Sequence, residues 1–274
     1  MVEELSAWEL AEGLNDLHRG ESIQIRLISL GRSAVAALED FMLRSPGNLR
    51  PRRLAVEALR VIGGQEAFNA LVKSLFAFTE IDDPVKALEE EAVKNIIAAQ
   101  LKHFGKVASE PLMKALTEQH LIGAGESLAE LGEKPAIPYI VDMLKDSFKR
   151  PRAADALLKF GSDATEDLLN TIRNKKMEND SEPLPSIERR AEAAKLLGLI
   201  GETKGFPDLL GCLYDEQGPV RFETALSLVL LMREKAPQKA IEVINSFVDK
   251  LTFEKRSRAE EILCSTNTSK AHFR

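Results

Sequence analysis

Six glycines share one apolar spacing, and that recurrence constrains the chain to a stacked repeat architecture. Gly31, Gly63, Gly105, Gly132, Gly161 and Gly201 each follow a leucine by four residues, at Leu27, Leu59, Leu101, Leu128, Leu157 and Leu197. Directly before each glycine stands Leu30, Ile62, Phe104, Leu131, Phe160 or Ile200. A unit that recurs in this way cannot hide its oily face alone and stacks on its neighbours. Upstream of each glycine, apolar residues at spacings of three and four mark one face of a helix, as in Ala55, Ala58, Leu59 and Ile62, or Ala193, Leu196, Leu197 and Ile200. The glycine falls where that helix ends and a positive φ is needed. A second stripe follows, for example from Ile137 to Leu144, with Pro111, Pro138 and Pro207 at matching first-turn places where a missing N–H costs little. Each unit reads helix, tight turn, helix.

The glycines are 32, 42, 27, 29 and 40 residues apart. The basic unit is therefore about thirty residues, with loop-like insertions over Phe78–Glu90 and Asn174–Ile187. A seventh unit has Ala225, Val229 and Met232 in its first stripe and Arg233 where the glycine would stand. Ser6 and Glu9 form a capping-box pattern for an initial helix carrying Trp8, Leu10, Leu14 and Leu17, with Trp8 read as a packing residue of the cap. Lys255–Leu263 reads as a closing helix and 265–274 as a polar tail.

Several properties exclude other classes. Aromatic residues make up 5% of the chain, so the core must come from Leu, Ile, Val and Ala. A net charge of −6 argues against a surface that binds nucleic acid throughout. Cys212 and Cys264 lack Cys-x-x-Cys spacing and read as thiols in a reducing compartment. The first residues carry no basic stretch leading into an apolar run, and no run is long enough for a membrane span. His18, His103, His120 and His272 form no His-Glu pair, which leaves a metal site without ligands. Gly63-Gly64 and Gly123-Ala124-Gly125 follow no strand and read as turns between helices rather than nucleotide loops.

The stretch Arg189-Arg190-Ala191-Glu192-Ala193-Ala194-Lys195-Leu196-Leu197-Gly198-Leu199-Ile200-Gly201 resembles a HEAT repeat of the short bacterial type named after phycobilisome lyases. Asp215 through Arg221 resembles the Asp…Val-Arg junction of that family, and Asp146 with Arg152 repeats the offset. The resemblance covers about residues 22–250 and implies an all-α, right-handed α-α superhelix of about seven helix pairs. It also implies that Asp146, Arg152, Asp215 and Arg221 tie adjacent repeats together. Residues 1–21 then form an N-terminal cap, 22–250 the repeats, 251–264 a C-terminal capping helix and 265–274 a flexible tail.

Two surfaces offer themselves for binding. In HEAT-like solenoids the second helices line the inner curve, where the register selects Ala37, Ala70, Leu112, Tyr139, Asp167 and Asp208, then Asp40, Lys73, Ala115, Asp142, Asn170 and Gly211 one turn on. Of these, Asp40, Lys73, Tyr139, Asp142, Asp167, Asn170 and Asp208 are the candidate partner contacts, with Tyr139 as an anchor. The loops between repeats share an edge rich in cations: Arg50, Arg52 and Arg53; Lys149 and Arg150; Arg173, Lys175, Lys176, Arg189 and Arg190. The sequence thus leads to the expectation of a non-enzymatic, cytoplasmic scaffold without cofactor or metal. It would bind an unidentified protein partner through the groove or the insertions. The alternatives are nucleic-acid or polyanion binding along the basic edge, which the net charge disfavours, and a HEAT-like lyase or DNA glycosylase. A glycosylase of that kind needs an aromatic cluster beside an acid, and Trp8, Tyr139 and Tyr214 do not form one in the sequence.

Overall fold

The computed structural model describes residues 5–44, 46–247 and 252–264. Among these the chain is all-α, with one isolated antiparallel bridge between Glu178 and Ser181 and no other extended pairing. Among the described residues a short helix, α1 (Ala7–Gly13), precedes the helices of seven HEAT-like repeats. These are α2 (Gly20–Leu30) with α3 (Val35–Leu43), α4 (Leu49–Ile62) with α5 (Gly64–Leu75), and α6 (Pro84–Leu101) with α7 (Ser109–Gln119). Then follow α8 (Ile122–Leu131) and α9 (Ile137–Met143), which fall in different compact units, then α10 (Arg150–Phe160) with α11 (Thr165–Arg173), α12 (Leu184–Ile200) with α13 (Phe206–Cys212), and α14 (Gly218–Met232) with α15 (Gln238–Phe247). The helix α16 (Phe253–Cys264) ends the described chain; the tail expected over 265–274 lies outside the described residues.

Contacts gather the chain into two compact units, residues 1–136 and 137–274, dividing within the segment read from the sequence as one array. In the first unit α2, α4, α6 and α8 pack in succession, and α1, α3 and α5 form a second row. In the second unit α10, α12, α14 and α16 pack in succession, with α9, α11 and α13 beside them. All six repeat leucines are wholly buried, which is how each pair hides its stripe against the next.

All six repeat glycines have positive φ. Gly161 (φ 56°, ψ −128°) shows why: a side chain is excluded there by the backbone conformation, since the space around its missing Cβ is open. Arg233 occupies the seventh junction at φ 49°, ψ −120°, almost the same conformation, without being glycine. Gly198 is a different case. A Cβ there would lie 2.8 Å from the Cα of Ser227, so the backbones of α12 and α14 meet at this point. Gly123 likewise sits in the first turn of α8, not in a turn between helices, and approaches Asn95 of α6.

The capping box forms as read: the Glu9 N–H donates to Ser6 Oγ at 3.3 Å, and the Ser6 N–H donates to Glu9 Oε2 at 2.8 Å. Two residues assigned to the cap core lie outside it. Trp8 is 48% exposed and Leu17 70%, because α1 has only two turns and buries Leu10 and Ala11, with Leu17 in the turn beyond it.

Candidate functional site

The second unit carries a cleft of about 360 Å³ bounded by α12, α14 and α16, with Arg150 at the start of α10. Glu188, Glu192 and Lys195 follow one another along a single face of α12, spaced as successive helical turns. Phe222 and Ala191 supply buried apolar wall, and Leu184 and Pro219 add to it near the rim. Three of the carboxylates lining it each hold a cation. Arg150 Nη2 donates to Glu188 Oε2 at 2.5 Å, Lys195 Nζ to Glu192 Oε1 at 2.8 Å, and Arg258 Nη1 to Glu223 Oε2 at 2.8 Å. Glu254 and Lys255 stand at the mouth without an ion-pair partner among the described residues. The lining thus sets paired charges over an apolar wall. A carboxylate released from its cation becomes a stronger base. Sequence reading missed Glu188, Glu192, Lys195, Phe222 and Glu223, because a charged stripe on a helix looks the same whether water or a cleft lies over it.

A second feature runs through the repeats. Arg52, Lys94, Arg150 and Arg190 each stand eleven residues before their repeat glycine. Arg52 and Arg190 are 1% exposed and Lys94 is 7%. Arg52 is paired with both carboxylate oxygens of Glu90, one at 3.1 Å, and its guanidinium lies 5.5 Å from the Phe78 ring centroid. Lys94 donates to the Phe78 carbonyl at 3.4 Å and to Gln119 Oε1 at 3.1 Å; burial pulls its ammonium below the usual lysine range. Arg190 binds Glu182 Oε2 at 2.8 Å and is paired with Asp215. Burial opposes the Asp215 carboxylate, but hydrogen bonds from Arg190 and the Gln217 N–H hold it below its ordinary pKa. Glu90 and Glu182 both lie in the segments read as loop-like insertions, although residues 84–90 and 184–187 are helical, Glu90 standing within α6; the two segments deliver counter-ions to the core. The common eleven-residue offset was the signal available in the sequence.

The expected basic edge is mostly neutralised within the chain. Arg50 donates to the Leu17 carbonyl at 2.8 Å, and Arg53 pairs with Glu57 at 3.3 Å. Arg52 and Arg190 are buried, and Arg150 belongs to the cleft. Lys149 donates only its backbone N–H to Asp146 Oδ1, at 3.2 Å, a bond that leaves its charge out of account. Lys175 lies 3.6 Å from both Asp215 and Glu216. Arg173 grips Asp208 with two bonds of 2.8 Å and also reaches Glu166 and Asn170. The Asp208 carboxyl is held below its ordinary pKa chiefly by Arg173. Lys176 and Arg189 both reach Asp142, at 3.3 and 3.1 Å.

In the second unit, then, the two surfaces drawn separately from the sequence are one. The acids Asp142 and Asp208 accept from the edge cations Lys176, Arg189 and Arg173, because those side chains are long enough to cross from one repeat to the next. Asp167 is pushed up by burial and by Glu166, and Tyr139 is 47% exposed. In the first unit Asp40 pairs with Arg44 and Lys73 with Glu39. Ala37, Ala70 and Leu112, placed on the groove by register, are buried instead. Of the expected ties, Asp215 bridges repeats through Arg190, while Asp146 accepts from the Phe148 and Lys149 N–H groups of its own loop. Arg221 binds the Asp215 and Glu216 carbonyls.

No family model matches the chain, and no curated protein matches it either. Two solved structures align over most of it. Human deoxyhypusine hydroxylase in complex with glycerol is 16% identical, with 95% of this chain and 96% of that one covered and a TM-score of 0.36. The complex of CpcE and CpcF of phycocyanin lyase from Nostoc sp. PCC7120 is 20% identical, with 90% and 96% covered and a TM-score of 0.38. At these scores neither assigns a residue or a reaction to this chain. Both names are those of enzymes, however, and this corrects the expectation of a non-enzymatic scaffold: a stack of HEAT-like pairs is no ground for excluding catalysis. No helix among the described residues is long and apolar enough to cross a membrane.

Proposed function

We propose that the chain is a HEAT-like enzyme of the lyase kind, acting on an apolar ligand that carries carboxylates, in the cleft between α12, α14 and α16. The observation that supports this reading is the set of three cation–carboxylate pairs, Arg150–Glu188, Lys195–Glu192 and Arg258–Glu223, arranged around the Phe222 wall. Arg258 and Arg150 receive the ligand carboxylates, and Glu192, freed from Lys195, is the base. The resemblance to phycobilin-lyase repeats suggests a linear tetrapyrrole as ligand and a protein as its acceptor. A cytoplasmic location belongs with this reading, since Cys212 and Cys264 are both free thiols.

The test is a spectroscopic titration of the full chain with biliverdin, a linear tetrapyrrole bearing two propionates. The expected result is a saturable change in absorbance, weakened about tenfold by Arg258→Met through loss of one charge-assisted hydrogen bond. Glu192→Gln should leave binding in place, because the ligand carboxylates go to Arg150 and Arg258. No saturable change, or one indifferent to Arg258→Met and Arg150→Met, refutes the assignment.

A further inference from the structure

Beyond the cleft, three cations from three separate segments converge on one carboxylate. Lys145, just past α9, donates to Asp142 Oδ2 at 2.6 Å. Lys176, from the 174–187 insertion, reaches Asp142 Oδ1 at 3.3 Å, and Arg189 of α12 reaches the same oxygen at 3.1 Å. One negative charge faces three positive ones in a chain whose net charge is −6, so the local excess runs against the whole. Burial opposes ionisation of Asp142, yet Lys145 and Lys176 hold its carboxyl below the ordinary range. The Arg189 side chain is 8% exposed, and its Nε–H is buried without an acceptor. Buried guanidinium N–H groups are nearly always bonded, so an orphan donor marks a place where an acceptor belongs.

We propose that Lys145, Lys176 and Arg189 form a binding site for a phosphate monoester, with Asp142 as an internal stand-in for the ligand. A phosphate dianion carries the two negative charges that the cluster lacks. Its oxygens match a guanidinium fork and two ammonium groups, whereas the single carboxylate leaves the fork half used. The cluster is held by α9, α12 and the insertion, so the site exists only with the insertion in place. It does not depend on the reading of the cleft, which lies among other residues.

The test is calorimetric titration of the full chain with inorganic phosphate at constant ionic strength. Weak saturable binding is expected for the native chain. Removing the competing charge with Asp142→Asn should tighten it about tenfold. Arg189→Met and Lys176→Met should abolish it, and Arg53→Met, an edge cation paired elsewhere, should leave it unchanged. Absence of saturable binding in both the native chain and Asp142→Asn overturns the proposal. An equal loss with Arg53→Met also overturns it, since that reports general screening. Tighter binding of a single-stranded oligonucleotide, whose diesters carry one charge each, than of phosphate does the same.

Discussion

The Arg52–Glu90 pair offers the sharpest test of how the repeats hold together. Both side chains are 2% exposed. Glu90 accepts from both Arg52 Nη atoms and from the Gly47 N–H at 3.0 Å, so it neutralises a buried guanidinium, whose Nε–H has no acceptor, and ties down the loop before α4. Glu90→Gln keeps the shape but removes the charge and turns one acceptor into a donor facing Arg52. A buried cation left without its anion costs about 3–5 kcal/mol. Arg52→Met alone strands Glu90 in the same way. The double variant Arg52→Met/Glu90→Leu removes both charges and should recover most of the loss, because an apolar pair of similar volume avoids the desolvation cost. Urea unfolding followed by circular dichroism measures the native chain, Arg52→Met, Glu90→Leu and the double variant as the four corners of the cycle, with a smaller loss expected in the double variant than in either single one. A loss below about 1 kcal/mol in Glu90→Gln would mean that water reaches this pair, and the reasoning would fail.

Three further outcomes follow from the same structure. Arg233→Gly should raise stability by about 1 kcal/mol, since it relieves a backbone conformation that side chains rarely adopt; an unchanged urea midpoint would refute this. Gly198→Ala should cost about 1–3 kcal/mol although alanine favours helix, because the added methyl meets the Ser227 backbone; a gain in thermal stability would show that α14 can step aside. Asp215 and Asp208 have lowered carboxyl pKa values in the folded state, so their contribution is present above the unfolded value of about 4 and is lost as pH falls through the folded values. Acid titration of stability should therefore show a decline below pH about 4 that is shallower in Asp215→Asn, and identical slopes would count against the Arg190 pairing.

The helix pairs were legible because their signal is local. A buried leucine four residues before a junction glycine depends only on helical pitch and on a positive φ at the junction, and all six instances hold in the structure. The charged groups were not legible in the same way. Whether Arg52 faces water or Glu90 depends on a partner 38 residues away in the next repeat. Whether Lys176 lies on an edge or reaches Asp142 depends on how a long side chain folds over a neighbouring helix. Sequence spacing ranks such residues as exposed cations, since most cations are. The cleft was hidden for a related reason: its wall combines residues of α12, α14 and α16, and no one helix announces it.

The counter-ion arrangement changes what counts as a module in this chain. A helix pair cut at its own boundaries would carry Arg52 away and leave Glu90 behind, exporting an unbalanced charge to any host array. Recombination or design that shuffles these repeats would have to cut so that cation and anion travel together. The heritable block is thus a window straddling two neighbours, with its seams placed in the middle of the helix pairs.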